Sequence, residues 1–163
     1  MRSGEIVVFG SAALAFRLPD APATRDVDIW CSPAEAGKTI EALMGELSWY
    51  HDRNGSYVEV WGPETFRAPS DWRARARDFT DDQLPDLRLI VPHPHDILFA
   101  KLERWEDQDR DHARRILSAY PLRIAQAGTL DARMPYRDGT ITDPGRIQAY
   151  DVHYRALLSL LPV

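Results

Sequence analysis

Five residues, Asp26-Val27-Asp28-Ile29-Trp30, constrain the fold of this chain more than any other short segment. They alternate polar and apolar, the period of a strand with one wet face. Side chains two apart on a strand share a face. Both aspartates therefore point one way, and Val27 and Ile29 point the other way into a core. Just upstream, Ile6-Val7-Val8-Phe9 is a short apolar run ending at Gly10 and reads as a buried strand. The Ala/Leu-rich residues 11–17 read as a short helix starting directly after that glycine, and residues 19–24, with two prolines, read as a loop.

Further along, Ser32-Pro33 reads as a helix start, with serine as cap and proline in the first turn. The spacing of Ile40, Leu43, Met44 and Leu47 predicts a helix to about Leu47 with those four on its buried side. Asn54-Gly55 stands between Trp49-Tyr50-His51 and Tyr57-Val58-Glu59-Val60-Trp61, the pattern of a β-hairpin. Residues 69–77 read as a surface helix, and Leu87-Arg88-Leu89-Ile90-Val91 as another strand. Pro92-His93-Pro94 leads into an amphipathic helix carrying Ile97, Leu98, Lys101 and Leu102. A helix is expected over residues 109–119, a loop or arm over 128–144, and a final helix over 150–161 with Tyr154, Leu157, Leu158 and Leu161 at helical spacing. Strands and helices alternate early and helices dominate late, which is an α/β (α+β) pattern. One domain is expected over residues 1–163, with a core at about 5–105 and a helical C-terminal extension at about 106–163.

Composition closes off several classes. Hydrophobic residues make up 44% and charged residues 28% of the 163, the mix of a globular protein and not of a disordered one. No apolar run is long enough to span a membrane, and the N-terminus has no secretory pattern, so a cytoplasmic protein is expected. The single cysteine, Cys31, excludes a disulfide framework within the chain and a Cys-rich zinc site. A net charge of −5 argues against nonspecific coating of nucleic acid. Local basic clusters remain, at Arg67, Arg73, Arg75 and Arg77 and at Arg110, Arg114 and Arg115. Genomic base composition accounts for arginine standing where lysine could, although the guanidinium fork also suits phosphate.

Gly10-Ser11 and the Asp26/Asp28 pair together suggest chemistry. A glycine after a strand lets backbone approach a ligand, and a helix start offers free N–H groups to phosphate. Two adjacent carboxylates repel, and a hard cation such as Mg²⁺ relieves the repulsion through oxygen ligands. The competing reading is a half-exposed edge strand with two solvated aspartates.

The order of these features resembles a family. Phe9-Gly10-Ser11 followed by Asp26-Val27-Asp28-Ile29 is similar to the signature of the nucleotidyltransferase superfamily related to DNA polymerase β: a hydrophobic residue, Gly, Gly or Ser, a spacer, then Asp-hydrophobic-Asp/Glu-hydrophobic. Thr24-Arg25 before the first aspartate resembles small bacterial members, including AbiEii-type toxin–antitoxin nucleotidyltransferases. The stretch from Val91 through Pro92, Asp96, Ile97, Leu98 and Lys101 to Leu102 resembles the helix those relatives carry, Pro-x-x-Asp/Glu-Asp-Leu-x-x-x-Lys-Leu. The likeness covers about residues 5–117.

The resemblance implies a nucleotidyltransferase-like fold with a small mixed sheet, flanking helices and a helical C-terminal part. It implies Mg²⁺, an NTP held by Gly10, Ser11 and Arg25, and metal ligands at Asp26 and Asp28. The superfamily's third carboxylate falls best on Glu59, whose alternative is an ordinary solvent-facing strand position. Lys101 would bind phosphate or move a proton; its alternative is a surface lysine. The acceptor would be a hydroxyl of RNA, protein or a small molecule, and an antitoxin partner is implied by the toxin–antitoxin likeness. One departure stands out: relatives follow the lysine helix with Asp-x-x-Asp, whereas here Asp109 is followed by His112, with Asp111 as a substitute. That departure keeps open a non-catalytic scaffold that binds a nucleotide or a partner.

Other sites weigh less. His93 and His95 lack companions at a zinc spacing and read as helix-start residues. Ser11 lacks the Gly-x-Ser-x-Gly of a hydrolase elbow. Cys31 follows an apolar strand and reads as buried and inert. Trp49, Trp61, Trp72 and Trp105 read as core or interface anchors, with base stacking as the alternative for any of them.

Overall fold

The computed structural model describes residues 4–163 and resolves the chain into two compact units. One runs through Phe66 and takes up Arg75–Pro92; the other comprises Arg67–Ala74 and His93–Val163.

The first unit is built on a mixed five-stranded sheet. Its strands are β1 (Gly4–Phe9), β2 (Asp26–Ser32), β3 (Tyr57–Val60), β4 (Arg77–Asp78) and β5 (Leu87–Val91), in the order β3-β2-β1-β5-β4. β1 pairs antiparallel with β2 and parallel with β5, while β3 lies parallel to β2. Three helices accompany the sheet: α1 (Gly10–Leu14), α2 (Glu35–Met44) and α3 (Trp49–Asn54). α2 packs on the face that carries Val60, where Gly37 sits so close that a Cβ there would come within 2.7 Å of Val60 Cγ1. The opposite face carries the aspartates, and it is not uniformly wet. Phe9 and Trp30 stand on it beside Asp28, their rings 5.4 Å apart, and Phe66 packs against both.

Several expected elements differ. Asn54-Gly55 is not a hairpin turn. Residues 49–54 are helical, and Gly55, at φ 68°, closes α3 by donating its N–H to the His51 carbonyl. A left-handed glycine serves a helix C-terminus as well as a hairpin. Ser32 ends β2 and caps nothing; α2 starts at Glu35, without a side-chain cap. It stops at Met44, where Gly45 turns extended, so Leu43 (66% exposed) and Leu47 (84%) lie outside the core. Residues 69–77 hold a single 3-10 turn, Trp72–Ala74, and then β4.

The second unit is helical: α4 (Pro94–Ala100), α5 (Asp107–Ala119), α6 (Ile124–Asp131) and α7 (Pro144–Leu158). The last four residues of α6 fall at the start of the loop expected over 128–144, and only Ala127 and Leu130 give that helix a buried side. Phe99, Leu102, Ile116, Leu122, Met134 and Tyr150 are among its fully buried side chains. Tyr136 stacks on Tyr150 at 4.2 Å. Glu103 accepts from Arg67, Arg146 and the Tyr136 hydroxyl. Trp105 is buried, whereas Trp49 and Trp61 are exposed and no core anchors. No described helix is long and apolar enough to cross a membrane.

Candidate active site

Strand register builds the site. Parallel pairing sets Asp28 opposite Glu59 and Asp26 opposite Tyr57. Side chains of directly paired residues share a face, so the two aspartates of β2 and the glutamate of β3 project together. Asp26, Asp28 and Glu59 each present a carboxylate oxygen within 4.8 Å of the others, and all three are half-buried. Burial pushes the Glu59 carboxyl above its ordinary range, and the charges of Asp28 and Asp26 push it the same way.

Neighbours hold the cluster in place. Thr24 donates its hydroxyl to the Asp26 side chain at 3.0 Å. Trp61 donates its indole N–H to Asp28 Oδ1 at 2.9 Å. The other oxygen, Oδ2, lies where β1 turns into α1: a Cβ on Gly10, which has φ +63°, would fall 2.7 Å from it. Glycine at this position permits both the left-handed backbone and the approach of Asp28. Ser11 is the next residue, half-buried. Arg25 is exposed just before β2, and its carbonyl accepts the Tyr57 N–H at 2.8 Å.

An all-oxygen set of crowded carboxylates, one of them driven toward its protonated form, fits a hard divalent cation. A cation would supply the positive charge that the cluster lacks. The donor set carries no sulfur or imidazole to favour a softer metal.

Lys101 belongs to the helical unit and caps the C-terminus of α4. It is 8% exposed, not a surface lysine, and its Nζ donates to Asp109 Oδ1 at 3.2 Å. Asp109 is fully buried and also accepts from Arg104 and from the Glu106 N–H. Burial alone would raise its carboxyl, but Arg104 and Lys101 hold it below the usual range. His112 is buried one turn on; burial pushes it down, and its Nδ1 has no hydrogen-bond partner among the described residues. Asp111 pairs instead with Arg115. His93 caps α4 by accepting the His95 N–H, and His95 Nε2 donates to the Tyr120 carbonyl. Cys31 is buried, and burial pushes its thiol up.

Trp61, which the sequence reads as a core or interface anchor or a base-stacking residue, stands instead at the carboxylate cluster. Its signal was its place two residues beyond Glu59, on the same face of the strand.

Over residues 2–119 the chain matches the family described as nucleotidyltransferase of unknown function (DUF6036). No curated protein and no solved structure matches it. With 118 of its 163 residues matched, the chain belongs to this nucleotidyltransferase family.

Proposed function

We propose that this chain is an Mg²⁺-dependent nucleotidyltransferase that moves a nucleotidyl group from an NTP to a hydroxyl of RNA, protein or a small molecule. The observation that carries this reading is the convergence of Asp26, Asp28 and Glu59 beside the Gly10 turn. Asp26, Asp28 and Glu59 would hold the metal, which when bound supplies charge to draw the triphosphate in and to stabilise the departing pyrophosphate. Thr24 and Trp61 keep the two aspartates oriented toward the cluster. Gly10 and Ser11 are assigned to the triphosphate, at the turn where β1 runs into α1. Arg25, exposed at the start of β2, contributes charge to the nucleotide. Lys101 is assigned to phosphate binding or proton transfer, a role that must compete with its pairing to Asp109. The acceptor oxygen forms the new bond to the α-phosphorus as the bond to pyrophosphate breaks. Positioning and electrostatics dominate such transfers. The reaction is assigned to the cytoplasm, where NTPs and Mg²⁺ are at hand.

A second reading, a nucleotide-binding scaffold without turnover, is favoured by His112, a buried side chain where the superfamily resemblance implies an aspartate. Label transfer from each α-labelled NTP onto total cell RNA and protein separates the two. Asp28→Asn keeps the shape and removes the charge a hard cation needs. Transfer by the wild type, reduced more than ~100-fold in Asp28→Asn with the melting temperature unchanged or raised, supports the enzyme. Equal transfer by both proteins removes Asp28 from its role, and NTP–Mg²⁺ binding without turnover favours the scaffold. A toxin role predicts growth arrest on expression of the wild type, with an antitoxin as partner, and normal growth with Asp28→Asn.

A further inference from the structure

We infer that Trp61 is a positioning residue that presents Asp28 to the cation, through the hydrogen bond from its indole N–H to Asp28 Oδ1. The inference rests on the metal-binding reading of the three carboxylates.

The backbone sets up the contact. The Trp61 N–H donates to the Ile29 carbonyl at 2.9 Å, carrying the β2–β3 ladder one residue past Val60. The side chain thus leaves the strand on the face that carries Glu59 and reaches Asp28 along the diagonal between paired strands. Indole is a donor only, so it cannot take the place of a carboxylate around a cation. It is also uncharged. Lysine or arginine here would cancel the charge the cation needs, whereas Trp61 orients Asp28 and leaves its full negative charge. With Oδ1 held by Trp61 and Oδ2 against the Gly10 turn, both oxygens of Asp28 have defined places. Trp61 is 45% exposed, so burial alone does not account for its position.

Partners of this kind change metal affinity by about 10–100-fold. The test titrates Mn²⁺ into the full-length wild type, Trp61→Phe and Trp61→Gln by calorimetry, with a thermal melt of each. Phenylalanine keeps a ring and loses the donor; glutamine keeps a donor of similar reach and loses the ring. The expected result is Mn²⁺ affinity about 10–100-fold weaker in Trp61→Phe, a smaller loss in Trp61→Gln, and little change in melting temperature. Undiminished binding by Trp61→Phe overturns the inference while the metal reading stands. Equal losses in both variants overturn it too, because the ring and not the donor then matters, and so does a Trp61→Phe chain that fails to fold. A wild type that binds no Mn²⁺ defeats the metal reading itself, an outcome seen without any variant.

Discussion

Gly10 and Asp28 form one local device. The backbone of Gly10 is left-handed, and the space its side chain would fill is taken by Asp28 Oδ2. A side chain in this backbone region costs about 1–2 kcal/mol. Gly10→Ala should lose stability on that scale, seen in a urea titration, and should also weaken Mn²⁺ binding by displacing Asp28. Glu59 gives the same cluster a pH signature. Its carboxyl is raised in the folded state, so the stability it contributes is full below the ordinary glutamate range and is lost as pH rises through the raised value. Without metal, Glu59→Gln should flatten that part of the stability–pH curve, measured as the urea midpoint at stepped pH. Adding Mg²⁺ to the wild type should offset the same loss. The aspartate pair was legible in the sequence because a period of two needs no partner strand. Glu59 was a candidate only, since which residue stands opposite Asp28 depends on a register that no local pattern encodes. Trp61 reads as an anchor for the same reason.

At the scale of elements, α2 comes close to the sheet at Gly37, where a Cβ would fall 2.7 Å from Val60 Cγ1. Alanine at residue 37 would gain about 1 kcal/mol of helix propensity and meet an overpacking cost of about 1–3 kcal/mol. Gly37→Ala should therefore destabilise the wild type and stabilise a Val60→Ala background. Urea midpoints of the four proteins in that cycle would show the reversal of sign, and additive effects would rule it out. Strands β2 and β5 and helices α4 and α5 were readable from periodicity and from the prolines and caps around them. The Asn54-Gly55 pair points to a hairpin that the fold does not contain. The same glycine geometry ends a helix, and β3 reaches its place parallel to β2 through α2 and α3. α6 left too few apolar residues to read, with only Ala127 and Leu130 buried.

At the scale of the whole molecule, acid acts on individual carboxylates in opposite directions. Glu59 favours the folded sheet unit at low pH. In the helical unit, Asp109 and Glu103 are held below the ordinary carboxylate range, so their stability is present above that range and lost as pH falls through the depressed values. Removing one member of a buried ion pair costs about 3–5 kcal/mol. Asp109→Asn should cost about that much, and hydrogen exchange should show the loss in α4 and α5 before β1 and β2.

The division of the chain also has a consequence for its synthesis. Residues 67–74 belong to the helical unit although most of that unit follows residue 92. The Ser70 N–H donates to the Arg133 carbonyl, and Asp71 pairs with the Arg133 side chain, 62 residues later. A ribosome must therefore release Ser70 and Asp71 long before their partners exist. β1 likewise waits for β5, its parallel neighbour across most of the sheet unit. Contacts between distant parts of a chain form slowly. The nascent chain carries its finished aspartate pair past the exit while both units remain incomplete, and each unit closes only on residues made late.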